Sequence, residues 1–136
     1  MLLDKSADLS VKREFGRTQL LFAAIMGGHR TIVQCCLDKG ADVNVKIGLT
    51  PLLVASERGD DAIVHMLLNN GADLHSITHD GQTALHRAAQ RGHGGIVTAL
   101  LQNSADVRAR TSSGMTPEDL ASVHGQDGVA AVHSKP

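Results

Sequence analysis

Short apolar runs that follow a threonine recur along the chain at a nearly constant distance. Thr50, Thr83 and Thr116 are spaced 33 residues apart, and Thr18 lies 32 residues before Thr50. A second motif, in which glycine or serine precedes Ala-Asp and an aliphatic residue, occurs four times at related spacings. An internal period of this length is typical of a solenoid, in which each repeat packs on its neighbours.

Residues at the ends of the apolar runs predict two short helices in every repeat. Thr50 and Pro51 are typical of a helix start, and a glycine such as Gly59 permits the left-handed backbone that ends a helix. Helices of about 8–10 residues are unstable alone, so stacking must stabilise them. First helices are predicted near residues 19–26, 51–58, 84–91 and 117–123, second helices near 30–38, 61–69, 94–102 and 126–132, and extended fingers near 7–17, 41–49, 72–82 and 105–115.

The first repeat is one residue longer than the second repeat between its threonine and the isoleucine of its second helix. The distance is 14 residues from Thr18 to Ile32 and 13 residues from Thr50 to Ile63. Since glycines favour turns, we expect the extra residue at the glycine pair of residues 27–28.

These motifs resemble the ankyrin repeat, a unit of about 33 residues made of a β-turn and two antiparallel helices. The resemblance rests on motifs such as Thr50-Pro51-Leu52, Gly92-His93 and Gly40-Ala41-Asp42, and it covers nearly the whole chain. It implies an all-α fold, a solenoid of stacked antiparallel helix pairs with β-hairpin-like fingers, in a single domain over residues 1–136. The predicted divisions are a partial N-terminal repeat over 1–15, repeats over 16–46, 47–78 and 79–111, and a C-terminal capping repeat over 112–136.

Charge and apolar content exclude several functional classes. Thirteen Lys and Arg against fourteen Asp and Glu give a net charge of −1, which lacks the electrostatic footprint of a general nucleic-acid binder. No apolar run has the length of a membrane span, and Asp4 interrupts the apolar core that a secretory signal needs. Cys35 and Cys36 are adjacent, which predicts two reduced and mostly buried thiols. We therefore expect an intracellular protein, cytoplasmic or nuclear, without a nucleic-acid or membrane partner.

The resemblance implies that the finger tips and the inner faces of the first helices form a concave surface that binds another protein. At these positions the early repeats supply apolar side chains and the later repeats polar ones, a contrast typical of recognition patches. The competing interpretation is that these side chains pack on each other or on a preceding repeat. The partner-binding residues predicted on this basis are Phe15, Arg17, Ile25, Met26, Leu49, Glu57, Arg58, His79, Asp80, Gln90, Arg91 and Met115.

Eight histidines raise the question of metal or acid–base chemistry. His86 and His93 match histidine positions of the ankyrin repeat, where the resemblance implies that they bond to backbone. Since no histidines have the spacing of a closed metal site, we expect neither a metal nor another cofactor. The alternative function is a small-molecule enzyme of acid–base type that uses the concave groove. The groups that would act in it are His79, Asp80, Glu57 and His124.

Three leucines near the N-terminus, Leu2, Leu3 and Leu9, are core-type residues with no preceding repeat to cover them. An uncapped solenoid end exposes an apolar face and tends to associate. We therefore expect either a longer repeat protein or self-association through this end.

Overall fold

The computed structural model describes residues 16–46, 48–123 and 125, whose helices form two stacked layers. The inner layer contains α1 (residues 16–27), α3 (Pro51–Arg58), α5 (Ala84–Arg91) and α7 (Pro117–Val123). The outer layer contains α2 (Arg30–Asp38), α4 (Asp61–Asn69) and α6 (Gly94–Gln102). Within the layers α3 packs on α5, α5 on α7, α2 on α4 and α4 on α6, whereas α3 pairs with α4 and α5 with α6 between them. The predicted all-α solenoid of helix pairs is confirmed.

The helices α2 to α7 have the predicted bounds because their end residues act as the sequence indicates. The Thr50 hydroxyl accepts a hydrogen bond from the Leu53 N–H (3.4 Å), and Pro51 occupies the first helical position. Gly59 ends α3 with a φ of 86°, in the left-handed region. The helix predicted over 126–132 and most of the finger predicted over 7–17 lie outside the described residues.

The first helix departs from the prediction at its start. The chain is already helical at residue 16, so residues 16–17 are not part of a finger and Thr18 lies inside α1. Thr18 has neither a proline after it, as Thr50 has, nor a polar side chain three residues later. The backbone at Thr18 is therefore free to be helical.

The extra residue of the first repeat lies within α1. The sequence predicts it at the turn, and this prediction is wrong. Residue 27 is still helical, and Gly28 is the left-handed residue, with a φ of 72°. Gly28 thus corresponds to Gly59. Counted back from these two glycines, every residue of α1 is displaced by one position from the alignment based on Thr18.

The fingers that precede α5 and α7 contain tight turns held by backbone hydrogen bonds. The N–H groups of Thr78 and Thr111 each donate to the carbonyl oxygen four residues later, at 2.9 Å. The Ser112 N–H donates to the Asp80 carbonyl oxygen, also at 2.9 Å. Successive finger tips are therefore joined directly to each other.

An aliphatic core runs between the two layers. Ile63 and Ile96 occupy equivalent positions in successive second helices and are fully buried, as are Leu67 and Leu100 one turn later. Since buried side chains in successive repeats contact each other, the core is continuous along the stack.

The two cysteines differ in their surroundings. Cys36 is buried and Cys35 is exposed, so the prediction of two mostly buried thiols is wrong for Cys35. Adjacent residues on α2 point in different directions, which explains the difference. Burial, and to a lesser degree the charge of the neighbouring Cys35, raises the pKa of the Cys36 thiol.

The first described repeat leaves apolar side chains uncovered. Ile32 occupies the position of Ile63 but is 40% exposed, and Leu20 in α1 is 51% exposed. Leu2, Leu3 and Leu9 lie outside the described residues. Across the helices that the structure describes, none combines the length and the hydropathy needed to cross a bilayer.

Candidate functional site

A groove of about 840 Å³ opens on the inner layer, along α1 and α3 and beside the end of α5. The α1 residues that line it follow intervals of three, one and three residues, which places their side chains on one helical face. This surface is called the groove below. Its lining residues are Gln19, Phe22, Ala23, Met26, Leu49, Val54, Glu57, Arg58 and Arg91.

One half of the groove is apolar. Phe22, Leu49 and Val54 are half-buried and form its floor, whereas Met26 is 55% exposed at its edge. A thioether side chain in this position can adapt its shape to an incoming apolar group. Covering this apolar half with another molecule would therefore lower the free energy, because apolar area is removed from water.

The other half of the groove is organised around Glu57. Its carboxylate contacts two guanidinium groups, with Oε2 2.7 Å from Arg87 and Oε1 3.0 Å from Arg91. The Glu57 carbonyl oxygen accepts a hydrogen bond from His93 Nε2 at 3.0 Å. Side chain and backbone of one residue thus join α3 to the following helix pair.

Arg58 lies beside this network without taking part in it. Its side chain is exposed, lines the groove and forms no hydrogen bond or ion pair within the described part of the chain. It occupies the same position in its repeat as Arg91 does 33 residues later. The groove therefore presents one guanidinium group that is held by Glu57 and one that is not.

Ile25 is not on the concave surface, where it had been expected. It is 1% exposed and belongs to the core. Because α1 is displaced by one residue, Ile25 corresponds to the buried Ser56 and Ala89, and Met26 corresponds to Glu57.

Several other predicted partner-binding residues lie outside the groove. Arg17 lines a separate crevice with Gly40 and Asp42. Gln90 is half-buried on α5, and Met115 is half-buried in the finger before α7. Phe15 lies outside the described residues, as does His124 of the alternative acid–base set.

His79 and Asp80 lie at a finger tip. The Asp80 carboxylate accepts hydrogen bonds from the Thr78 hydroxyl and from Gln82 Nε2 (3.2 Å). The bond from Thr78 is the main reason that the pKa of Asp80 lies below its usual value. His79 is exposed. The Asp80 carboxylate therefore stabilises the finger to which it belongs.

The acid–base set of the alternative function is not brought together by the residues that the structure describes. Glu57 lines the groove, where two arginines engage it, whereas His79 and Asp80 do not line it. No three His, Cys, Asp or Glu side chains cluster for metal binding within the described ranges.

The two histidines with expected structural roles bond to backbone as predicted. His86 is fully buried, its Nδ1 accepts from the Thr83 N–H (3.1 Å), and its Nε2 donates to the Met115 carbonyl oxygen (3.0 Å). His93 donates to the carbonyl of Glu57. Each ring thus joins its own repeat to a neighbouring one.

Four groove residues were missed by the analysis of the sequence. They are Gln19, Phe22, Ala23 and Val54. The helical spacing of the first three with Met26 is a signal that could have placed them on one face, had the helix not been aligned on Thr18.

Comparison with known proteins identifies the repeat independently. A family model described as ankyrin repeats in three copies matches residues 1–78 and 70–132. Similar stretches occur in a neurogenic locus notch homolog protein 1 of Xenopus laevis, with 32% identity over 88 residues (62% of this chain and 3% of the relative), and in a B-cell lymphoma 3 protein homolog of Mus musculus, with 36% identity over 84 residues (60% and 18%). An ankyrin repeat and KH domain-containing protein 1 of Homo sapiens is 33% identical over 87 residues (61% and 3%). The chain thus spans less than a fifth of the length of each of these relatives.

Proposed function

Since the chain belongs to the ankyrin-repeat family, whose repeats are generally protein-interaction modules, we propose that it binds another protein through the groove. The observation that carries this proposal is the placement of an exposed Met26 and an unengaged Arg58 on the same groove of about 840 Å³.

Apolar and arginine side chains are the groups that dominate binding energies at protein interfaces. Covering the exposed part of Met26 and the rims of Phe22 and Leu49 would remove apolar area from water, at about 25 cal/mol per Å². Arg58 would then supply directional hydrogen bonds at the edge of the covered area. Together these side chains provide an apolar anchor site and a polar rim.

The Glu57 network supports binding by fixing part of the groove in advance. Glu57 holds Arg91 and Arg87 in place through contacts of 3.0 and 2.7 Å. Side chains that are already ordered lose less conformational entropy when a partner binds. Glu57 is thus proposed as a positioning residue.

The proposal is tested by capture from cell extract on the immobilised chain, with quantitative mass spectrometry. Met26→Asp and Arg58→Ala should each lower the retention of a common set of proteins by at least about fivefold, equivalent to a loss of about 1 kcal/mol. The matched control is Gln102→Ala, an exposed residue at the end of α6 and outside the groove, which should retain the same proteins. Thermal melts of all three variants check that the fold survives.

Unchanged retention by both groove variants would overturn this placement of the binding surface. Loss of the same proteins in Gln102→Ala would also contradict it, because that side chain does not line the groove.

We also propose that the apolar surface around Leu20 and Ile32 supports self-association. These side chains are 51% and 40% exposed, and the positions equivalent to Ile32 are buried in the next two repeats. Sedimentation velocity should show a dimer at high concentration that Ile32→Asp converts to a monomer. A wild-type chain that remains monomeric at all concentrations would remove this proposal.

A further inference from the structure

We infer that the segment bound by the groove is acidic, with a large apolar side chain next to its carboxylates; this rests on the proposed function. The inference comes from the charge of the groove and from the arginine that no residue of the described chain engages.

The polar half of the groove has an excess of positive charge. Two arginines, Arg58 and Arg91, line the groove with one carboxylate, that of Glu57, and a third arginine, Arg87, contacts Glu57 without lining the groove. Glu57 contacts two of them, so its charge cannot also balance Arg58. A partner with complementary charge is therefore negative on this side.

The arginines retain donors for such a partner. Each guanidinium has five N–H donors, and Arg91 uses one contact of 3.0 Å to Glu57 while its side chain remains 55% exposed. No hydrogen bond or ion pair within the described part of the chain uses the donors of Arg58. A carboxylate can accept two parallel hydrogen bonds from one guanidinium, the strongest pairing available to it.

Two further carboxylates, those of Asp60 and Asp61, lie close to Arg58. Asp60 precedes α4 and Asp61 is its first residue, and both line a crevice with Arg30 and with Arg58 itself. Asp60 contacts Arg30 at 3.4 Å and accepts from the Ile63 N–H at 3.1 Å, and Asp61 lies against Gly95. Arg58 thus borders both surfaces, but neither carboxylate forms an ion pair with it within the described residues, and neither lines the groove.

A neutral or basic segment fits the groove less well. A neutral apolar segment that covered the floor would strip water from Arg58 and leave its donors unpaired, which costs free energy. A basic segment would be repelled by the guanidinium groups of Arg58 and Arg91, which line the groove. An apolar side chain over Phe22 and Met26 also excludes water and strengthens the adjacent ion pairs.

Selection from random 12-residue peptides displayed on phage, with the full chain as target, tests the inference. We expect the selected peptides to combine Asp or Glu with a large apolar residue. In fluorescence anisotropy their affinity should fall at least about tenfold in Arg58→Glu, in 0.5 M salt, and when their acids are replaced by amides. The matched charge-reversal control is Arg108→Glu, an exposed finger residue outside the groove, which should leave the affinity unchanged.

The outcomes separate this inference from the function that it rests on. Peptides that lose affinity in Met26→Asp but not in Arg58→Glu would overturn the acidic partner and leave the groove as the binding site. Peptides that bind equally well to both variants would overturn both proposals. Failure to select any peptide, or selection of neutral or basic ones, also counts against the inference.

Discussion

At the scale of the residue, two glycines with nearly the same backbone have different surroundings. Gly59 and Gly71 have φ values of 86° and 84°, in the region that only glycine adopts easily. A Cβ on Gly59 would lie 2.6 Å from the imidazole ring of His93, whereas a Cβ on Gly71 would have no atom within 4 Å. The ring cannot easily move, because His93 Nε2 bonds to the Glu57 carbonyl.

Gly59→Ala should therefore destabilise the protein more than Gly71→Ala. Both changes place a side chain at positive φ, which costs about 1–2 kcal/mol. Gly59→Ala adds a steric term of about 1–3 kcal/mol from overpacking against His93. Urea unfolding of the two variants measures the difference in the free energy of unfolding. Equal losses would contradict the steric term, because they would mean that the His93 ring moves aside.

Ser104 is the one described non-glycine residue with a positive φ, at 69°. It follows α6 at the position where Gly40 and Gly71 follow the earlier outer helices. Ser104→Gly should relieve a strain of about 1–2 kcal/mol against an entropy cost of about 0.5–1 kcal/mol. The net gain in stability should therefore be up to about 1.5 kcal/mol. Ser104→Ala, which keeps the Cβ, should bring no gain in the same unfolding assay.

At the scale of the element, the start of α5 depends on a neutral histidine. His86 completes the capping box with Thr83 and donates to the finger before α7. Burial lowers its pKa below the ordinary value of 6.5, which the unfolded chain retains. The unfolded state therefore binds the proton more readily than the folded state does.

Stability should accordingly fall as the pH drops below about 6.5, by up to about 1.4 kcal/mol per pH unit until the folded-state pKa is reached. Well above the ordinary pKa of 6.5, His86 is neutral in both states and its contribution to the free energy of unfolding is fully present. His86→Gln should lower stability at pH 7.5 and reduce the slope between pH 7 and pH 5. Urea unfolding at several pH values measures both effects, and an unchanged slope would contradict the assignment.

How far elements can be predicted depends on whether local chemistry marks their ends. Thr50-Pro51 and the glycine at 59 fix α3 from both sides, because proline restricts the residue before it and glycine accepts a left-handed backbone. Thr18 resembles such a start in sequence alone. Since nothing after it prevents a helical backbone there, α1 extends further back and the side chains assigned to its surface were displaced by one.

At the scale of the whole molecule, equivalent positions in successive repeats contribute differently to stability. Ile63 is fully buried between neighbouring repeats, whereas Ile32 is 40% exposed. Ile63→Ala should cost about 2–5 kcal/mol because it leaves a cavity, and Ile32→Ala should cost clearly less. Chemical denaturation at a protein concentration where the chain is monomeric compares the two, and a loss for Ile32→Ala as large as that for Ile63→Ala would contradict the expected difference.

The candidate site could be predicted only in part, because the side chains of α1 were assigned one position away from where the structure places them. Glu57, Arg58 and Arg91 lie in the repeats whose alignment was correct, and the structure places them on the groove. Phe22 and Ile25 lie in the displaced helix, so that Phe22 was overlooked and the buried Ile25 was assigned to the surface. The ion pairs of Glu57 depend on contacts between repeats, which spacing along one chain does not specify.

The additional residue within α1 bears on how the concave surface formed by the inner helices evolves. Insertion of one residue in a helix turns everything on one side of it by about 100° around the axis. A single event of this kind brings a new row of side chains to the concave side while Gly28 and the outer helix keep their places. Such an insertion would thus change the side chains on this surface in one step, where substitution would need several.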